Sequence, residues 1–312
     1  MCQVIAGSTM KLTVLVDNNT YIDQYYLGEP ALSFYIEDGA EKILFDTGYS
    51  DAFIKNAVQM EIDLGALTCI VLSHGHNDHT RGLPFLWDNY DLKNVKLIAH
   101  PGVFSPKQYM GLDVGAPFTK EDCAAHGLQV IDGSGPVKLT ERLTFLGEIP
   151  RVTDFESKEP VGTAGEAGPA DFVLDDSALS YEGREGIFII TGCSHSGICN
   201  IVLQAKNCND KYYRRIKSSE HESNGCKGNP REVSGEKENR DKCSNSKLIT
   251  GIIGGFHLLE KNHQLEETVH FLEQNTKGTL YPCHCVSLAA KCEIMKTLPV
   301  AEVGVGLQLE VE

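Results

Sequence analysis

The stretch Ser73-His74-Gly75-His76-Asn77-Asp78-His79 decides how this sequence is interpreted. It follows the short apolar run Cys69-Ile70-Val71-Leu72, which is typical of a buried strand. Three imidazoles and a carboxylate stand close together here, although Lys and Glu would serve an ordinary polar surface better. A solvated turn at a strand end is the alternative interpretation. The density of the cluster favours a metal site.

The spacing within this stretch predicts two neighbouring metal positions. Zinc takes neutral imidazole nitrogen and carboxylate oxygen at about 2.0–2.2 Å. A tight loop can direct His74 and His76 towards one point, while Asp78 and His79 face a second point nearby. Paired metals roughly 3.5–4 Å apart are a known catalytic arrangement. We therefore expect one or two Zn²⁺ ions, with other divalent metals as alternatives.

The apolar runs along the rest of the chain predict a layered α/β fold. A hairpin is expected from Ala31–Glu37 and Lys42–Phe45, and Asp51–Met60 has helical spacing. Further strands are expected at Leu12–Val16, Val95–Ala99, Leu143–Leu146, Ile187–Thr191, Leu248–Ile253, Thr279–Tyr281 and Leu307–Val311. Further helices are expected at Gln264–Gln274 and Leu288–Leu298.

We expect one folded domain, residues 10–312, after a leader of residues 1–9. Residues 207–247 are polar, charged and poor in large apolar side chains, which predicts a disordered insertion. The Gly-rich loop Pro160–Pro169 is expected to be flexible and to lie over a site. Asp175 and Asp176, which follow it, either orient a cationic or amino-bearing group of the substrate or form a solvated turn, and the turn is the favoured interpretation.

Two motifs together resemble those of a known family. His74-Gly75-His76-Asn77-Asp78-His79 resembles the H-x-H-x-D-H signature of the metallo-β-lactamase superfamily. Upstream, Leu44-Phe45-Asp46-Thr47-Gly48 resembles its first motif, a strand that ends in Asp-Thr-Gly. The resemblance implies an α/β fold of the four-layer αββα sandwich type. It also implies that Asp46 supports the metal-binding loop and does not itself ligate the metal.

Three later motifs resemble one subgroup of that superfamily, named for 7,8-dihydropterin-6-methyl-4-(β-D-ribofuranosyl)aminobenzene-5′-phosphate synthase. They are Thr191-Gly192-Cys193-Ser194-His195-Ser196-Gly197, Gly254-Gly255-Phe256-His257-Leu258 and Pro282-Cys283-His284-Cys285. Through this resemblance His195 and His284, each just after a strand, are candidate metal ligands. His257 either ligates metal or contacts an anionic substrate, and both interpretations stay open. The likeness runs from Met10 to the C-terminus, interrupted by the insertion.

Cys193 marks a departure from the superfamily. Many members carry a bridging Asp at the end of the strand that here ends with Thr191-Gly192. Cys193 either ligates zinc as a thiolate or is a small buried residue beside the site, and we favour the second interpretation. Without the Asp, a second metal would be held more weakly. Cys283 and Cys285 are interpreted as packing residues or alternative soft ligands.

Composition limits the partners and the compartment. A net charge of −15 disfavours nucleic acid as a partner, so a small-molecule substrate is expected. No apolar run approaches the roughly 18 residues that span a bilayer, so no membrane association is expected. With no secretory signal, the eleven cysteines are expected to be reduced in the cytoplasm. The oligomeric state stays open.

The expected function is that of a metallo-hydrolase or a pterin-type transferase. It would act on an ester, a phosphoester or a phosphoanhydride of a small molecule. Asp78 is the candidate catalytic group, which would accept or orient a proton of the attacking water. If the reaction of the subgroup applies, pyrophosphate leaves a pterin while an arylamine attacks.

Two alternatives come from other functional classes. The first is a di-iron redox protein on the same fold, which His76 disfavours because those proteins carry a carboxylate at that position. The second is a non-catalytic metal-binding protein.

Overall fold

A computed structural model describes residues 9–208 and 248–312. Its strands are β1 (Met10–Val16), β2 (Ser33–Asp38), β3 (Glu41–Phe45), β4 (Cys69–Val71), β5 (Lys96–Ala99), β6 (Gln108–Tyr109), β7 (Leu112–Asp113), β8 (Gln129–Asp132), β9 (Val137–Lys138), β10 (Leu143–Phe145), β11 (Ala178–Glu182), β12 (Ile187–Thr191), β13 (Ile249–Gly254), β14 (Thr276–Pro282) and β15 (Gln308–Val311). Its helices are α1 (Ala52–Gln59), α2 (Asn77–Thr80), α3 (Leu83–Asn89), α4 (Lys120–Ala125), α5 (198–208), α6 (His263–Asn275) and α7 (Leu288–Ile294).

Two of the sequence predictions concern segments largely outside the described ranges. The predicted leader, residues 1–9, lies outside the described residues except for its last position. The predicted insertion, residues 207–247, lies outside them except at 207 and 208, which continue α5.

Two large sheets form the centre of the molecule. The first has seven strands in the order β15-β1-β2-β3-β4-β5-β8, and the second has six in the order β14-β13-β12-β11-β10-β9. In the first sheet β3, β4, β5 and β8 are parallel, and in the second β12, β13 and β14 are parallel. Ligand sites in such sheets lie beyond the carboxyl ends of the parallel strands.

Three apolar cores separate four layers. Phe34 and Phe45 of the first sheet pack with Phe145 and Ile190 of the second in the central core. In one outer core, α1 and α3 cover the far face of the first sheet, with Phe53 and Leu86 fully buried. In the other, α5, α6 and α7 cover the far face of the second sheet. The predicted αββα sandwich is therefore confirmed.

Most predicted elements are present at nearly the predicted positions. Strand Ile187–Thr191 has the predicted bounds, and all five of its residues are buried. The predicted helix Gln264–Gln274 is one residue longer at each end, and it begins after Asn262, whose side chain accepts a hydrogen bond from the Leu265 N–H. Strands β6, β7, β8, β9 and β11 and helices α3, α4 and α5 were not predicted. No helix in the described ranges is long and apolar enough to cross a membrane.

Candidate metal centre

Three histidines converge where the two sheets meet. His74 and His76 follow β4, and His195 follows β12. His74 Nε2 lies 3.0 Å from His76 Nδ1, which in turn lies 3.1 Å from His195 Nε2. We call these three residues the first ligand group. The sequence prediction placed all three here, and the fold brings them together across 119 residues of chain.

A second set of donors lies directly beside the first. His79 Nε2 is 3.1 Å from His284 Nε2 and 3.2 Å from the Cys193 sulfur. The carboxylate of Asp78 lies 3.3 Å from the same His284 nitrogen. The donor atoms of these four residues lie within 4.8 Å of one another, and we call the four residues the second ligand group.

Hydrogen bonding within the first ligand group leaves polar atoms unpaired. His76 Nδ1 faces two other ring nitrogens, but one nitrogen carries either one proton or one lone pair. His76 Nε2 and His195 Nδ1 are buried and have no hydrogen-bond partner among the described residues. A cation between the rings would take one lone pair from each of the three facing nitrogens. The residues present therefore fit a zinc-type ion.

The protonation states of the first group also suit a metal. Burial, together with the neighbouring imidazoles, lowers the pKa of His74 and His195 well below the usual value. Burial lowers the pKa of His76 to about 4. The three rings are therefore neutral at pH 7, which is the form that ligates metal.

His79 in the second group behaves differently. Burial alone would lower its pKa, but the carboxylates of Asp78 and Asp46 raise it to about 9. His79 is therefore protonated at pH 7 in the metal-free protein. A cation bound at the second group would displace that proton.

Asp46 lies beneath both groups without reaching either set of facing donor atoms. Its carboxylate accepts hydrogen bonds from the Ser73 N–H and hydroxyl, each at 2.7 Å, and contacts His79 Nδ1 at 2.6 Å. Ser73 Oγ lies 2.9 Å from His74 Nδ1. Asp46 thus orients one histidine directly and another through Ser73, and it is fully buried.

A buried ion pair supports the loop between His74 and His76. Asp175 accepts a hydrogen bond from the Gly75 N–H at 2.7 Å, and its other oxygen lies 2.7 Å from Lys107 Nζ. Lys107 also pairs with Asp171 at 3.1 Å. Gly75 is tightly enclosed, because a Cβ there would lie 2.5 Å from the Val103 carbonyl oxygen. The chain can pass through this space only as glycine.

The interpretation of Asp175 and Asp176 as a solvated turn is wrong. Their exposed fractions are 2% and 1%. Asp176 accepts a hydrogen bond from the N–H of Ser196, next to His195, at 2.9 Å. Both carboxylates are buried because each pairs with donors that are remote in the sequence, which local residue preferences do not reveal.

The remaining candidates lie at neighbouring strand ends. His284 follows β14 with φ 51°, and its N–H donates to Asp17 at 2.9 Å. His257 follows β13, and its ring centroid lies 4.3 Å from that of His195. Cys193 is 3% exposed, which fits either interpretation of it, and its sulfur lies 3.2 Å from His79 Nε2. Lys107 and Asp17 were not predicted as site residues and gave no sequence signal, whereas Cys285, which flanks His284, was predicted as a packing residue or an alternative soft ligand.

A cavity of about 550 Å³ opens above both ligand groups. His76, Asp78, His195 and His284 form part of its floor. Apolar and aromatic residues line its upper part: Pro30, Tyr49, Tyr109, Val114, Val161 and Leu259. Val161 belongs to the loop Pro160–Pro169, which therefore does lie over the site. None of the described lining residues is Lys or Arg.

The family model of the metallo-beta-lactamase superfamily matches residues 27–203. The chain belongs to this superfamily. The match includes the loop from His74 to His79 and extends to His195, so it covers the first ligand group. Members of the superfamily bind divalent metals, and the donor clusters described above are of that kind.

Two curated relatives come from Methanocaldococcus jannaschii. An uncharacterized protein is 28% identical over 287 residues, which is 89% of this chain and 91% of that protein. The second relative is 7,8-dihydropterin-6-methyl-4-(beta-D-ribofuranosyl)-aminobenzene-5'-phosphate synthase, 25% identical over 303 residues, 92% of this chain and 91% of that protein. The resemblance stated from the motifs is therefore confirmed at the level of family.

Solved structures support the fold. A metal-dependent hydrolase of the beta-lactamase superfamily superposes with a TM-score of 0.72 at 24% identity, covering 97% of this chain and 99% of that one. A diphosphatase of the PhnP family gives a TM-score of 0.50 at 14% identity, covering 97% of this chain and 98% of that one. At this identity the likeness concerns architecture alone.

Proposed function

We propose that this protein is a zinc-dependent enzyme that acts on an ester, a phosphoester or a phosphoanhydride of a small molecule. The observation that carries the proposal is the pair of adjoining ligand groups at the floor of one cavity. His74, His76 and His195 would hold one cation, and Asp78, His79, His284 and Cys193 would hold a second. Asp46 would orient their ligands from below.

The charge distribution of the cavity supports an oxyanion-bearing substrate. A divalent cation supplies Lewis-acid polarisation of a phosphoryl or carbonyl oxygen and lowers the pKa of water to about 7. Because no described lining residue is Lys or Arg, positive charge for an anionic group would come from the cations. The apolar and aromatic upper part would receive the organic part of the substrate.

Asp78 is proposed as the catalytic acid–base group. Its side chain is 29% exposed, which leaves it accessible from the cavity. Its contacts with His79 and His284 fix the carboxylate beside the reacting position. From there it would accept a proton from the attacking water or hold that water in line.

A pterin-type transferase is the second candidate, favoured by the synthase relative that aligns over 92% of this chain. In this reaction an arylamine would attack the pterin carbon and pyrophosphate would leave. Tyr49 and Tyr109 at the mouth of the cavity could stack on a flat heteroaromatic ring. The leaving diphosphate would face the same ligand groups as in hydrolysis.

Metal dependence and a variant of Asp78 test the proposal. Protein dialysed against a chelator should lose turnover of nitrophenyl esters, nitrophenyl phosphodiesters or a pterin diphosphate with an arylamine, and added zinc should restore it. Asp78→Asn should lower kcat by about 10²- to 10⁴-fold in that assay.

Asp88→Asn, an exposed carboxylate on α3, is the matched control and should keep full activity. The metal content of each preparation is measured in parallel, with iron included to test the di-iron alternative. Full turnover after the metal has been removed would contradict the proposal. A zinc-loaded protein that turns over none of these substrates would favour the non-catalytic alternative.

A further inference from the structure

A third cluster of donors lies beside the two ligand groups, and two of its three residues have no part in the proposed function. Cys193, His257 and Cys285 each offer one donor atom, and these atoms lie within 4.8 Å of one another. They follow β12, β13 and β14, which are parallel neighbours in the second sheet. We call these three residues the sulfur group.

The backbone packs closely against the sulfur group on the side of Gly255. Cys285 Sγ lies 3.4 Å from the carbonyl oxygen of Cys193. A Cβ on Gly255 would lie 2.5 Å from Cys285 Sγ and 2.6 Å from the Gly192 carbonyl oxygen. Glycine at 255 therefore allows the strand that carries His257 to approach both cysteines.

The group also contains strained and unpaired features. His257 has φ 48°, a left-handed conformation that is costly for a residue with a side chain. Its Nδ1 is buried and has no hydrogen-bond partner among the described residues. Such strain persists where the surrounding structure holds it, and it occurs mainly at functional sites.

The donor set differs in kind from those of the other two groups. Two sulfurs and one imidazole form a Cys₂His set, which zinc takes in sites that keep a fourth position open. Thiolates favour soft or borderline cations over magnesium and calcium. All three residues line the cavity, so the fourth position faces the substrate space.

We propose that Cys193, His257 and Cys285 form an additional site for a thiophilic cation of the zinc class. Cys193 belongs to both the second ligand group and the sulfur group, and a thiolate can bridge two cations through its lone pairs. The sulfur group would thus extend the metal centre along the carboxyl ends of β12, β13 and β14. Cys193 links the two sites, because its sulfur belongs to both groups.

Cadmium titration tests this proposal without an activity assay. The full-length protein is stripped of metal under reducing conditions and titrated with Cd²⁺. Binding is followed by the ultraviolet charge-transfer absorption of cadmium thiolates and by elemental analysis. Cys285→Ser should lose part of the absorption and bind one cation fewer, because one of the two thiolates is gone. His257→Ala should also bind one cation fewer while it keeps both thiolates.

Cys292→Ser, an exposed cysteine on α7, is the control and should titrate as the natural sequence does. An unchanged absorption and cation count in Cys285→Ser would overturn the proposal, and so would an equal loss in Cys292→Ser. The result is separate from the proposed function, because His257 and Cys285 belong to neither of the first two groups. Loss of turnover with an intact cadmium signal would contradict only the catalytic proposal.

Discussion

At the scale of single residues, Asp46 contacts both the loop that carries His74 and the ring of His79. One carboxylate accepts from the Ser73 N–H and hydroxyl and contacts His79 Nδ1. By accepting a hydrogen bond from the Nδ1–H of His79, Asp46 leaves Nε2 of the same ring to face His284 and Cys193. The orientation of the second ligand group therefore depends on a side chain outside that group.

Asp46→Asn tests this dependence. An amide in this place presents an N–H where His79 now finds an acceptor, so the preferred tautomer of His79 is lost. We expect zinc affinity to fall by about 10- to 100-fold. Competition titration with a coloured chelator measures it. Asp63→Asn is the control, since the replacement keeps an acceptor for the Gly65 N–H at an exposed turn. Unchanged affinity in Asp46→Asn would mean that the carboxylate does not orient the ligands.

At the scale of elements, the loop after β4 is held by residues that belong to none of the ligand groups. Lys107 is 3% exposed and bridges Asp171 and Asp175, and Asp175 holds the Gly75 N–H. The loop between His74 and His76 is therefore fixed to Asp175, which a buried ion pair with Lys107 holds in place. The positions of the two histidines follow from this contact.

Lys107→Met should destabilise the protein strongly. The change leaves two carboxylates buried without their cation, and breaking a buried pair in this way costs about 3–5 kcal/mol. Urea unfolding of the metal-free protein measures the free energy of unfolding. Lys55→Met is the control, because its pair with Asp51 is exposed and should contribute less than about 1 kcal/mol. Asp175→Asn is also made both alone and together with Lys107→Met. If it lowered the free energy of unfolding equally in both backgrounds, the two residues would not be coupled.

The same elements show how far sequence alone could predict the molecule. Strand β12 was predicted with its observed bounds because Ile187–Thr191 is apolar or β-branched throughout, as a strand covered on both faces must be. Strand β8, Gln129–Asp132, is a half-exposed edge strand without such a run, and it was not predicted. A continuous apolar run thus made β12 predictable, and β8 offers no such run.

The residues of the candidate site also differ in how well the sequence could predict them. His74 to His79 stand together in the chain, so a candidate metal site could be predicted there from the residue types and their spacing. Lys107 is a single lysine in an irregular segment, and its partner Asp175 is 68 residues away. No sequence pattern predicts such a pair, because the interaction becomes strong only when the fold buries both residues away from water. Supporting contacts of this kind become visible only in the folded molecule.

At the scale of the whole molecule, the candidate centre joins two halves that are remote in the chain. His74, His76, Asp78 and His79 follow β4 of the first sheet, while Cys193, His195, His257 and His284 follow strands of the second. The central apolar core already holds the two sheets together. A bound cation would add direct bonds between the halves at the open end of that core. Metal binding and global stability should therefore be coupled.

Metal removal should lower the melting temperature in a way that depends on the ligand groups. A ligand that binds only the folded state stabilises it by about 2.7 kcal/mol at a free concentration 100 times Kd. Calorimetry of zinc-loaded and chelator-treated protein measures the difference, and chelator already saturated with zinc is the control. A variant with both His74→Ala and His79→Ala should show a clearly smaller chelator effect, because one ligand of each of the first two groups is missing and only the sulfur group stays intact. If the chelator lowered the melting temperature of this variant as much as that of the natural sequence, the stabilising cation would bind elsewhere. The two halves would then be held together by the apolar core alone.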